Sequence, residues 1–77
     1  MTPEQCRAAR ALLGMTQDGL CEASGVSIKT LVDFEGGRTT PYASTLEKLH
    51  SALEAAGVVF IASNGQGAGV RLREPGE

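Results

Sequence analysis

The chain has 77 residues, enough for one domain, and a domain of this size buries only about 60–65 % of its unfolded surface. Lys and Arg total 7 against 9 Asp and Glu, a net charge of −2, and the basic residues are scattered with no tail or cluster. That balance excludes a nonspecific nucleic-acid coat and a membrane-surface binder, while specific DNA binding, which draws some phosphate contacts from amides and helix ends, stays open.

In chain order, Thr2 followed by Pro3 and Gln5 predicts a capping box with proline at the first helical position. Cys6, Ala9 and Leu13 then share a helical face, with Leu12 beside them, and Gly14 stops the helix. Thr16 caps a second short helix over "QDGLCEASG", whose Gly19 costs ~1 kcal/mol relative to alanine. Ser27 caps a third over "IKTLVDFEGG", with Leu31, Phe34 and Glu35 on one face. Ser44 and Glu47 read as a second capping box opening a fourth helix, in which Leu46, Leu49, Leu53 and Ala56 form an apolar stripe that Gly57 ends. The pattern then changes. "VVFIAS" is β-branched and aromatic, "NGQGAG" is a glycine-rich loop, and "VRLR" alternates with period two, which predicts a hairpin over Val58–Ser63 and Val70–Arg73. Residues 74–77 read as a frayed tail.

The informative stretch is Gln17 to Gly36. Two short helices joined by a tight turn at "SGVS" meet at a steep angle. Leu20, Cys21, Val26, Leu31 and Phe34 then share a small core, and Ile28, Lys29, Val32 and Asp33 are left on the outward face of the third helix, which suits a major groove about 12 Å wide. The ordered set "ALLGMTQ", the turn glycine followed by "VS", "FEGGR" and "TLEKLHSALEAAG" resembles the XRE helix-turn-helix family, the lambda-repressor-like domains of Cro/C1 type, from about Ala8 to Gly57. The resemblance implies a mainly α architecture, a four-helix DNA-binding bundle over residues 1–57. It implies that Gln17 contacts a phosphate, that Ser27 and Ile28 begin the recognition helix, and that Lys29 and Val32 face base edges with Asp33 adjacent. It further implies that Arg38 and Thr39 lie along the DNA backbone and that Arg10 and Glu35 form a buried ion pair. Residues 58–73 depart from the family's usual fifth helix and look like a β-hairpin appended for dimerisation in some small bacterial members.

On physical grounds Ile28 and Val32 suit thymine methyls, and Lys29 suits a guanine or a phosphate. Asp33 either accepts from a cytosine amino group or tethers Lys29 at i, i+4. Cys6 and Cys21 read as small buried hydrophobes, and His50 as a rim residue. Two cysteines and one histidine are too few for structural zinc. No nucleophile–base pair is spaced for catalysis, so neither an enzyme nor a bound cofactor is expected. The chain shows no secretory signal or apolar run of membrane length, which points to the cytoplasm.

Val58 and Phe60 leave the strand on one side and Val59 and Ile61 on the other, so one apolar face or the open edge needs a cover. A second copy provides it, with Val58, Val59, Phe60, Ile61 and Val70 as the expected dimer contacts and Leu53 beside them. Two modest half-sites joined in one molecule gain from effective concentration. The expectation is a homodimeric repressor or autorepressor that reads a pseudo-palindrome on double-stranded DNA. An antitoxin- or antirepressor-like module, using the same bundle to bind a protein, is the alternative.

Overall fold

Local capping chemistry sets the starts of the first three helices. In a computed structural model that describes residues 1–63 and 65–75, helix α1 spans Pro3–Leu13. The Gln5 amide donates to Thr2 Oγ1 at 3.0 Å and the Thr2 amide donates to Gln5 Oε1 at 2.9 Å, completing the capping box. Gly14 ends α1 in the left-handed region at φ 64°, where a glycine is favoured. Helix α2 spans Gln17–Ser24 under a Thr16 cap, whose hydroxyl accepts from the Gly19 amide at 2.9 Å. A Cβ at residue 19 would lie 3.2 Å from that hydroxyl oxygen and 3.4 Å from the Met15 side chain. The glycine that weakens α2 therefore also makes room for its cap.

Gly25 turns the chain at φ 76°, and helix α3, Ile28–Glu35, starts under a Ser27 cap. Helix α4 spans Ala43–Ala56. Here the expected capping box at Ser44 and Glu47 is corrected. The helix begins two residues earlier, its cap position is Tyr42, and no side chain caps it. Half-buried Leu46 and fully buried Leu49 fix where α4 lies, and Ala43, a strong helix former, joins the first turn. Ser44 is thereby drawn inside the helix.

Strands β1, Val58–Ile61, and β2, Gly69–Leu72, pair antiparallel with Val58 opposite Leu72, Phe60 opposite Val70 and Ile61 opposite Gly69. Strand β1 ends two residues earlier than expected, at Ile61, and β2 keeps its expected length but starts one residue earlier, at Gly69; the hairpin packs against α1 and α4. Asn64, in the expected glycine-rich loop, and Gly76 and Glu77, in the expected frayed tail, lie outside the described residues.

The core draws on every element except β2: Cys6, Ala9, Leu20, Val26, Leu31, Phe34, Leu49, Leu53 and Val58. Each buried leucine contributes about 1.5–3 kcal/mol relative to an exposed one. Cys21 packs against this cluster only half-buried, and Ala56 is exposed at the end of the α4 stripe. Val58, expected at a dimer contact, is 2 % exposed and belongs to the protomer's own core, as does fully buried Leu53. The hairpin sits on the helices by the face that carries Val58, so that face is already covered. Val59 remains half-buried and Ile61 38 % exposed on the opposite face.

Gln5 fastens the hairpin to α1. Its Nε2 donates to the carbonyl oxygens of Gly69 at 3.0 Å and Ile61 at 3.4 Å. His50 is half-buried: its ring stacks on Phe60 with centroids 4.3 Å apart, and its Nδ1 lies 3.0 Å from Glu54 Oε1.

Candidate nucleic-acid interface

The third helix divides by face. Leu31, Phe34 and Glu35 are buried, while Ile28 is 45 % and Val32 38 % exposed on the other side, with Lys29 and Ser27 also exposed. Two large aliphatic side chains left open beside a lysine form a surface able to meet both methyls and polar base edges. The Ser27 hydroxyl is engaged locally, accepting from the Thr30 amide at 3.3 Å and donating to Thr30 Oγ1 at 2.9 Å.

The angle of α3 against the bundle is held by one carboxylate. Glu35 is 3 % exposed. Arg10 Nε donates to its Oε2 and Arg10 Nη2 to its Oε1, both at 2.7 Å, a fork-to-fork pair between α1 and α3. Gln17 Nε2 donates to Oε1 at 3.0 Å from the first turn of α2, and Cys6 Sγ donates to Oε2 at 3.2 Å. Arg7 reaches the Glu35 backbone carbonyl, and Arg10 Nη1 that of Met15. Burial pushes the Glu35 carboxyl up, but the hydrogen bonds from Arg10, Gln17 and Cys6 outweigh it and hold the group below the usual carboxylate range. The same network raises Arg10. The Cys6 thiol, pushed up to about 12 by burial and then by Glu35, stays a thiol. Among the described residues, no buried side-chain polar atom lacks a partner.

Gln17 therefore sits where the resemblance places it, at the start of α2, with its amide nitrogen turned inward to Glu35. Asp33 lies on the edge of the exposed face. Its Oδ2 is 3.1 Å from Lys29 Nζ and its Oδ1 is 3.8 Å from Arg38 Nη1. Its backbone carbonyl accepts from the amides of Arg38 at 2.9 Å and Thr39 at 3.4 Å. Lys29, Asp33, Arg38 and Thr39 are thus gathered on one side of α3, with Ile28 and Val32 along the same helix.

A cleft of about 500 Å³ runs between the start of α3 and the start of α4, lined by Ser27, Lys29, Asp33, Thr39, Tyr42 and Thr45 among others. Tyr42, 86 % exposed at its rim, was not singled out by sequence reasoning. An aromatic in the loop between α3 and α4 was the available signal. Among the described residues, no group of three or more His, Cys, Asp and Glu could hold a metal ion, and no helix is long and apolar enough to cross a membrane.

Two short helices crossing at a glycine turn, with a half-apolar, half-charged face left open on the second, define a helix-turn-helix module. A helix-turn-helix family model matches residues 7–56, which spans α2, α3, α4 and the part of α1 from Arg7 onward. The chain belongs to this family, the XRE or Cro/C1-type helix-turn-helix proteins. A search of curated proteins matched nothing. Membership makes the chain a DNA-binding helix-turn-helix regulator.

Proposed function

We propose that this chain is a sequence-specific repressor or autorepressor that occupies a pseudo-palindromic operator as a homodimer. The observation that carries the reading is the exposed face of α3. Ile28 and Val32 stand open beside Lys29 on a helix whose other face is locked to α1 and α2 through Glu35. A helix left apolar toward water and rigidly backed is suited to a groove, where its methyls find thymines. Ser27, Ile28, Lys29 and Val32 read the groove, and Gln17, Arg38 and Thr39 track the backbone. Residues 1–57 form the reading unit and residues 58–73 the dimerisation hairpin. Val59 and Ile61 are its main contacts, and Phe60 and Val70 are held partly in the protomer. Two reading helices on one twofold axis would fit half-sites about 34 Å apart. The protein acts in the cytoplasm by occupancy alone and takes no cofactor.

Lys29→Met tests the reading. It should weaken binding to a selected duplex and relax the base preference at the position Lys29 reads, with little change on unrelated duplexes. A chain that binds no duplex, and that instead captures a protein equally well with Lys29 or Met at position 29, would establish the protein-interaction alternative.

A further inference from the structure

We propose that Asp33 determines specificity without touching DNA, by holding Lys29 and Arg38 in place so that they cannot follow phosphates at random. This rests on the DNA-reading role of α3.

The three side chains differ in freedom. The Asp33 side chain is 18 % exposed, whereas those of Lys29 and Arg38 are 85 % and 75 % exposed. The carboxylate is the more buried member and the cations are the exposed ones. Each carboxylate oxygen faces a different cation, Oδ2 toward Lys29 and Oδ1 toward Arg38. The Asp33 carbonyl also takes the Arg38 and Thr39 amides, so the loop start is closed onto the same residue. A carboxylate between two cations stands in for a phosphate. Any duplex phosphate that recruits Lys29 or Arg38 as a bare charge must first displace it, and meets its repulsion.

On a cognate site the case differs. There α3 lies in the groove with Ile28 and Val32 against their methyls, and Lys29 and Arg38 act from the positions in which Asp33 holds them. Asp33 therefore lowers binding to all other sequences while leaving the cognate complex intact. This accounts for a reading face with two cations in a chain whose net charge is −2: the protein suppresses its nonspecific binding locally as well as globally.

The test compares the full-length chain with Asp33→Asn, an isosteric change, and Asp33→Glu, which keeps the charge. The probes are a random-sequence duplex of about 20 base pairs and a duplex enriched by selection. Asp33→Asn should bind the random duplex about 5- to 10-fold more tightly at 0.1 M salt and steepen its salt slope by about 0.9, the signature of one further phosphate contact. Its affinity for the selected duplex should stay within about 2-fold, so that discrimination falls about 5- to 10-fold. Asp33→Glu should retain most of the wild-type slope. An unchanged slope on random duplex in Asp33→Asn overturns the proposal. So does a switch in the preferred base at a single operator position, which would make Asp33 a base reader. A wild-type chain that binds no duplex defeats the DNA reading, and this role falls with it.

Discussion

Replacing Arg10 with methionine probes the network that ties α3 to α1 and α2 through Glu35. The variant removes two 2.7 Å hydrogen bonds from a carboxylate that is 3 % exposed, leaving Glu35 with Gln17 at 3.0 Å and Cys6 at 3.2 Å. A buried ion deprived of its partner costs about 3–5 kcal/mol. A chain of 77 residues has a total stability of only ~4–12 kcal/mol, so Arg10→Met should approach global unfolding. Glu35→Leu should cost less, ~1–3 kcal/mol, because the 18 %-exposed Arg10 side chain can turn toward water. The double variant should recover a coupling energy of ~2–3 kcal/mol. The pH dependence separates the variants. In the wild type, the depressed Glu35 pKa adds stability that is present above the ordinary carboxylate range and is lost as pH falls through the folded value. In Arg10→Met, burial dominates and raises the Glu35 pKa, so the sign reverses: stability recovers as pH falls toward the ordinary range. Urea denaturation between pH 7 and pH 4 reads both effects. A loss under about 1 kcal/mol in Arg10→Met, or a pH trend parallel to the wild type, would refute the reasoning.

Two predictions concern the hairpin. Ile61→Asp alters a residue 38 % exposed on the uncovered face; it should give folded monomers by sedimentation and weaken operator binding, and a dimer that persists would place the twofold contact elsewhere. Gln5→Ala removes the donor to the Gly69 and Ile61 carbonyls and the acceptor for the Thr2 amide; it should cost ~1–2 kcal/mol and speed amide exchange in β1 and β2 more than in α3, and uniform protection would show that the hairpin does not depend on this tether.

What was legible in the sequence is what the chain decides locally. Thr2, Thr16 and Ser27 cap amides within three residues of themselves, and period and glycine placement gave four helices and a hairpin. Ser44 misled because Leu46 and Leu49, anchored in the core, decide where α4 lies, and a surface serine cannot override them. Side chains with two roles were only half legible. Gln5 was read as a capping residue, yet its amide nitrogen reaches chain 56 and 64 residues away. The order of faces along β1 was read correctly, but which face the helices already cover depends on tertiary packing, and that took Val58 from the expected interface. The outward residues of α3 followed from period and resemblance together. The double pairing of Asp33 did not, because Arg38 approaches only once the loop closes back on the Asp33 carbonyl.

The central claim is that the open face of α3 reads sequence, in two copies related by a twofold axis. Selection of bound fragments from a random duplex pool tests it directly. The account predicts enrichment of a pseudo-palindrome with half-site centres about one helical turn apart, lost when Ile28 and Val32 are both replaced by serine. A pool that shows no enrichment, or a motif unchanged by that double replacement, would contradict it.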